Sequence, residues 1–380
     1  MTGGQPASEE ELAEVVRDAA SRGRPLVIRG GGTRGIGAAV EGEALSVAGL
    51  TGISLYDPGA LTLVARAGTP LAVVEAALAA EGQRLPFEPW DGRVLSGANG
   101  APTVGGMVAV NASGPRRIQA GACRDSMLGV RFVDGTGAIV KNGGRVMKNV
   151  TGLDLVKLMA GSHGTLGVLT EVGFKVLPAP EATATLVFEG LDAGLAVEAM
   201  TAATGTPYEV TGAAHLPEAG ATMLRIEGFA GSVAHRARAL AAALARFGAP
   251  RVVEGPGDWA AVRDGAGFAG RDGAVWRISV KPTDGLRVSA ALPEAALAFD
   301  WAGGLVWALV GEGLDLRRAL AGIPGHATLV RASEAAKARW GPFAPEPAPV
   351  AALAAGLRAR FDPAGVLNPG RMGVREPATV

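Results

Sequence analysis

Residues Arg29-Gly30-Gly31-Gly32-Thr33-Arg34-Gly35 follow directly on the apolar run Pro25-Leu26-Val27-Ile28. A strand that feeds at once into three glycines lets successive backbone N–H groups converge with no Cβ atom between them, which is one way a chain holds a phosphate. The spacing is neither the dinucleotide GxGxxG nor the GxxxxGKS/T of nucleotide triphosphatases. A tight turn would use the same glycines, so the phosphate reading needs support from elsewhere. A second cluster, Gly100 to Gly114, is made almost wholly of small residues, among which Thr103, Asn111 and Ser113 carry hydrogen-bonding groups. Packing of a turn against a buried strand would account for it equally well. A third, Ala160-Gly161-Ser162-His163-Gly164-Thr165-Leu166-Gly167-Val168, again sets glycines before a β-type run. Three such loops suit an extended ligand with a diphosphate and flat rings.

These loops need elements to hold them. Glu9, Glu10 and Glu11 after Ser8 read as the first turn of a helix running to Ser21, with Ser8 and Glu11 as a capping box. Strands are expected over Leu26 to Arg29 and Leu61 to Ala67, followed by a helix opened by Thr69 and Pro70. Val130 to Val133 and Ala138 to Lys141 flank Asp134-Gly135-Thr136-Gly137 as a hairpin, and Gly167 to Leu177 makes a strand that stops at Pro178. Beyond Pro178, runs at Thr183 to Phe188, Ala193 to Ala203, Ala221 to Phe229 and Ser232 to Phe247 suggest β-α-β units. Strands near Val275 to Val280 and Leu305 to Val310 and a helix from Leu314 to Ala321 come next. The expected class is α+β, with domains over residues 1–178 and 179–341. Residues 342–380 form a linker, a helix from Val350 to Phe361 and a structured tail.

Composition sets the outer limits. With 36 Lys+Arg against 36 Asp+Glu, no overall field favours nucleic acid or an anionic membrane. A single cysteine, Cys123, excludes an intrachain disulfide and, with four histidines, a cysteine-rich zinc site. The most apolar later segment, Leu297 to Val310, contains Asp300 and is too short to span a bilayer. A cytoplasmic chain in a reducing compartment, with no membrane span of its own, is expected.

Five ordered motifs carry a family resemblance: RGGGTRG after PLVI, GAPTVGGMVAVNASG, GACRDSMLGVRFVDGTG, KNVTGLDLVKLMAGSHGTLGVLTEV and FDPAGVLNPG. Together they resemble vanillyl-alcohol-oxidase-type flavoproteins, whose FAD-binding domain is also known from p-cresol methylhydroxylase. Within that superfamily the chain is most similar to the FAD-binding subunits of bacterial glycolate oxidases, which work beside a larger homologous flavin subunit and an iron–sulfur subunit. The likeness is densest over Pro25 to Pro178 and returns at Arg360 to Arg371. It implies a two-part PCMH-type FAD-binding domain, then a smaller α+β substrate or cap domain, with the C-terminal tail returning to the first.

By resemblance, Arg29, Gly30, Gly31, Gly32 and Thr33 receive the FAD pyrophosphate. Pro102, Thr103, Val104, Gly105 and Gly106 lie on its other side, and Asn111, Ser113 and Gly114 continue toward the flavin. Gly121, Arg124 and Asp125 match the stretch that supports the isoalloxazine, while Gly161, Gly164, Thr165, Gly167 and Val168 match the loop and strand completing the cleft. Asn368 matches the asparagine of the LNPG turn. Some relatives attach FAD through a histidine where this chain has Thr33, so the cofactor is expected to be noncovalent, and Cys123 reads as buried packing. The HxGDGNxH signature with which related hydroxy-acid dehydrogenases build a metal and carboxylate site is reduced to Gly311-Glu312-Gly313 and an isolated His326, so no metal site follows.

Oxidising a 2-hydroxy acid such as glycolate needs a cation for the carboxylate, a base for the hydroxyl proton and a hydride acceptor. Arg277, Lys281 and Arg331 are the candidate cations and His326 the candidate base. Surface charge and a turn histidine are the competing explanations. Two functions stay open: a flavin-dependent hydroxy-acid dehydrogenase passing electrons to a partner, or a non-catalytic assembly or electron-relay subunit whose homologous partner performs the oxidation.

Overall fold

A computed structural model describes residues 4–144 and 153–373; Lys148 to Gly152, the start of the fourth motif, lie outside them. The helix Glu9–Ser21 forms as its first turn dictates: Ser8 Oγ accepts the Glu11 N–H at 3.1 Å. Glu11 reaches past Ser8 to accept the Ala7 N–H at 2.8 Å, one residue beyond the expected box. The helix buries Leu12, Ala13, Val16 and Ala19. Next to it, Leu26–Arg29 pairs in parallel with Glu43–Ser46.

A five-stranded antiparallel sheet follows in the order Ile53–Asp57, Thr62–Arg66, Val168–Lys175, Met127–Val133, Ile139–Gly143. The expected hairpin is its edge. The strand after the third glycine cluster, Val168–Lys175, lies at the centre of this sheet.

The second half is an eight-stranded sheet in the order Arg251–Glu254, Ala182–Glu189, Ala221–Gly228, Val210–Leu216, Ala296–Asp300, Leu305–Val310, Ala274–Val280, Gly325–Arg331. Every pairing in it is antiparallel, yet the expected β-α-β units are present in split form: of the helices covering one face, Ala193–Thr204 joins Ala182–Glu189 to Val210–Leu216 and Ala230–Ala243 joins Ala221–Gly228 to Arg251–Glu254, each pair of strands running parallel on either side of one intervening strand. Leu305–Val310 lies between two packed layers. All six residues are buried, with Leu305, Trp307 and Leu309 packed among side chains of the first half, and Val306, Ala308 and Val310 among the covering helices. A strand apolar at every position is one buried on both faces. The apolar segment Leu297 to Val310 is thus two strands, Ala296–Asp300 and Leu305–Val310, folded back on each other.

Charges tie the halves as well. Arg225 and Glu227 on the strand Ala221–Gly228 meet Glu88, Arg84 and Arg116 from the first half. Arg225 grips Glu88 with both guanidinium nitrogens at 2.8 Å, Arg84 holds Glu227 at 2.7 Å, and Arg116, 1% exposed, also bonds Glu227.

Candidate functional site

The three glycine loops converge on one cleft of about 330 Å³. The first packs directly on the second: a Cβ on Gly31 would sit 1.6 Å from the Ala101 carbonyl oxygen, and one on Gly30 would sit 2.3 Å from Thr103 Oγ1. No side chain fits there, so backbone alone forms that wall. The third loop hangs from the short helix Val104–Ala109, with the Gly161 N–H on the Val108 carbonyl at 3.0 Å and the His163 N–H on the Ala109 carbonyl at 2.9 Å. Thr103 caps that helix by accepting the Gly106 N–H at 3.2 Å.

Asn368 locks the cleft from the far end of the chain. Its Oδ1 accepts the Ile28 N–H at 2.9 Å and its Nδ2 donates to the His163 carbonyl at 2.8 Å, so one buried side chain bridges the first and third loops. The tail arrives there because Leu26 donates to Val366 at 2.7 Å and Asp362 accepts the N–H groups of Val366 and Leu367.

The cleft is electropositive. Arg29, Arg34 and Arg371 line it, and among the described residues none of the three is in an ion pair. Arg34 lies 5.3 Å from the Trp90 ring, its Nε is buried without a partner, and burial lowers its pKa to about 10. His163, held at a φ of 52°, meets Phe343 edge-on at 4.9 Å between ring centroids. Burial and the charge of Arg371 lower its pKa to about 4, so it is neutral at physiological pH. A glycine-walled cradle ringed by unpaired arginines fits the dianionic pyrophosphate of FAD.

Of the expected cofactor residues, Arg29 to Thr33, Thr103, Gly105, Gly106, Gly164, Gly167, Val168 and Asn368 line this cleft. Pro102, Val104, Gly161 and Thr165 stand just behind it, in the chain segments that carry the lining. Asn111, Ser113, Gly114, Gly121, Arg124 and Asp125 do not line it. They form a neighbouring turn: Asn111 accepts the Arg124 N–H and Ser113 the Cys123 N–H, both at 3.0 Å, and Asp125 accepts the Ala122 N–H at 2.8 Å. Cys123 is fully buried and its thiol pKa is pushed up, so it is inert packing. Arg34, His163 and Arg371 were not singled out as lining residues by the sequence. Each stands inside or just after a recognised motif, and that was the available signal.

The candidate substrate residues separate. Arg277 and His326 share the sheet face that looks toward the first half, since Arg277 pairs with Trp307 and His326 with Ser279. Arg331 is drawn away: its guanidinium donates to the Phe268 carbonyl at 2.8 Å and to that of Arg271. Lys281 is exposed, with Asp284 at 3.9 Å. Neither joins Arg277.

Residues 4–143 match a family model described as an FAD binding domain. The chain is 38% identical to glycolate oxidase subunit GlcE of Escherichia coli (strain K12) over 367 residues, covering 96% of this chain and 97% of that one. It is 30% identical to glycolate oxidase subunit GlcD of Bacillus subtilis (strain 168) over 193 residues, half of this chain but only 40% of that relative. Among solved structures, alkyldihydroxyacetonephosphate synthase superposes with a TM-score of 0.70 over 96% of this chain and 75% of that one at 17% identity, a likeness of fold. Fold and cleft thus define a PCMH-type FAD-binding flavoprotein. Within that class the chain belongs to the family of glycolate oxidase subunit GlcE, FAD-linked oxidoreductases acting on CH–OH groups. Among the described residues no helix is long and apolar enough to cross a membrane.

Proposed function

We propose that this chain is the subunit of a glycolate oxidase or dehydrogenase complex that holds FAD noncovalently and, with a larger homologous flavin subunit and an iron–sulfur subunit, converts a small 2-hydroxy acid to the 2-oxo acid. The observation that carries the reading is the meeting of three glycine loops in one arginine-lined cleft, in a chain similar along its whole length to a glycolate oxidase subunit. Arg29 to Thr33 would hold the pyrophosphate through backbone N–H groups, with Gly105-Gly106 lining the opposite wall and Arg34 and Arg371 balancing its charge. When bound, FAD supplies the hydride acceptor and a route for electrons to the partner subunits. The chain's own share is to orient the cofactor and keep water from it. Arg277 is the candidate cation for the substrate carboxylate, and His326, whose pKa is lowered by burial and by Arg277 and Arg117, is the candidate acceptor of the hydroxyl proton.

The second reading, an assembly or relay subunit with oxidation on the homologous partner, draws on Arg331: one of the three candidate cations is fully occupied by backbone carbonyls. Anaerobic mixing of the FAD-loaded chain with glycolate separates the two. Bleaching of the flavin band by the lone chain is expected for a catalytic subunit; bleaching only after the partner subunits are added would transfer the chemistry to them. Acid precipitation should release a yellow supernatant, and flavin retained in the pellet would contradict noncovalent binding.

A further inference from the structure

Away from the glycine cleft, two arginines from different halves of the chain meet on one indole. The guanidinium carbon of Arg117, on the short helix Arg117–Ala120, lies 4.6 Å from the Trp301 ring, and that of Arg277, on the strand Ala274–Val280, lies 4.8 Å from it. Arg277 is also 5.8 Å from Trp307, its cross-strand neighbour. Among the described residues neither arginine is in an ion pair, whereas the arginines at the other junction of the halves, Arg116 and Arg225, are ion-paired with Glu88 and Glu227. Arg277 goes further: its Nε and Nη2 are buried with no hydrogen-bond partner. A buried donor left unmade is destabilising, and more so in a charged group, so a guanidinium kept in this state is one awaiting an acceptor.

The platform beneath them is held at a cost. Trp301 and Ala302 are consecutive non-glycine residues with φ of 53° and 57°, a left-handed pair that L residues rarely adopt. The pair persists because Trp301 is tied on two sides, its N–H to Asp300 Oδ1 at 2.7 Å and its indole N–H to the Gly114 carbonyl at 3.0 Å. Asp300 is in no ion pair with either arginine among the described residues, and burial pushes its pKa up to about 7.

We propose that Arg117 and Arg277, set over Trp301 at the junction of the two halves, form a binding site for the carboxylate of a small organic acid. The choice of ligand rests on the hydroxy-acid reading above; the existence of an anion site rests on the unpaired guanidinium groups alone. Two planar donors match the two oxygens of one carboxylate, and the apolar indoles of Trp301 and Trp307 beside them favour a small remainder without a second charge. His326, on the same sheet face, stands where a neighbouring hydroxyl would meet a neutral imidazole.

The test uses the full-length chain, with glycolate and acetate as probes and glycolamide as the uncharged isostere. Binding is followed by isothermal calorimetry and by the tryptophan fluorescence that Trp301 and Trp307 would report. Saturable binding of both acids and none of glycolamide is expected, weakened about 10- to 100-fold in Arg277→Met and in Arg117→Met. Arg277→Lys should recover part of the loss by keeping charge without the planar fork. Because the buried Arg277 variants can fail to fold, Arg117→Met, at a half-buried position, carries the test alone if its melting curve matches the parent's. Equal binding of glycolamide, unchanged affinity in Arg117→Met, or no carboxylate binding to the parent chain would each overturn the site. Flavin absorbance, read on the same samples, reports the FAD reading separately, and calorimetry on the flavin-free chain tests the carboxylate site even if that reading fails.

Discussion

Asn368 shows how much one side chain can hold. Both ends of its amide are used, on Ile28 and His163, and its own φ of 44° is one that asparagine tolerates better than most residues. Asn368→Ala leaves a buried N–H and a buried carbonyl unpaired, a loss of roughly 2–4 kcal/mol. The expected outcome is a lower melting temperature together with weaker FAD retention on gel filtration; a variant that melts earlier yet keeps its flavin would show that the bridge serves the fold and not the cleft. At this scale the sequence was most informative where chemistry is local. Gly31 and Asn368 could be picked out because a loop that must bring backbone to a phosphate, or turn in the left-handed region, restricts the residue at that very position. Arg117 could not, since nothing near it in the chain announces that Trp301 and Arg277 will be its neighbours.

Among the elements, the contact between the strand Ala221–Gly228 and the first half depends on Glu227. Burial alone would raise its pKa, but Arg225, Arg116 and Arg84 outweigh burial and bring it from 4.5 to about 2. The folded carboxylate therefore stays ionised where the unfolded one has taken up a proton, and its stabilisation is complete above about pH 4.5 and lost as the pH falls through about 2. Glu227→Gln leaves Arg116 buried against a neutral amide and should cost about 3–5 kcal/mol at pH 7. Denaturant titrations of parent and variant should differ most above pH 5 and converge as the pH falls to about 2; a gap independent of pH would place the loss in packing instead. Strand and helix positions here were largely readable: Glu9–Ser21 and Leu26–Arg29 fall where periodicity and capping put them. Pairing was not. An apolar run such as Leu305–Val310 says that both faces are covered but not whether its neighbours run parallel, and Asp300-Trp301 conceals a reversal of direction inside what looks like one hydrophobic segment.

For the molecule as a whole, the two sheets share one core through Trp301, Leu305, Trp307 and Leu309, and the tail straps across the first. Val366 and Leu367 are each 1% exposed, and their burial adds about 1.5–3 kcal/mol apiece. A chain ended after Phe361 loses that burial, the Leu26–Val366 hydrogen bond and the Asn368 bridge together. It should purify without flavin absorbance, and reconstitution with FAD to the parent's stoichiometry would show that the strap is dispensable. The same strap sets an order of events in the cell. Ile28 and Asn368 are 340 residues apart, so at about 5–20 residues per second roughly 17–70 s of synthesis separate the first glycine loop from the residue that fastens it. Until then the nucleotide cradle lacks its clasp. Cofactor capture is therefore expected to follow synthesis of the tail, with the folded subunit and not the growing chain as the species that loads FAD.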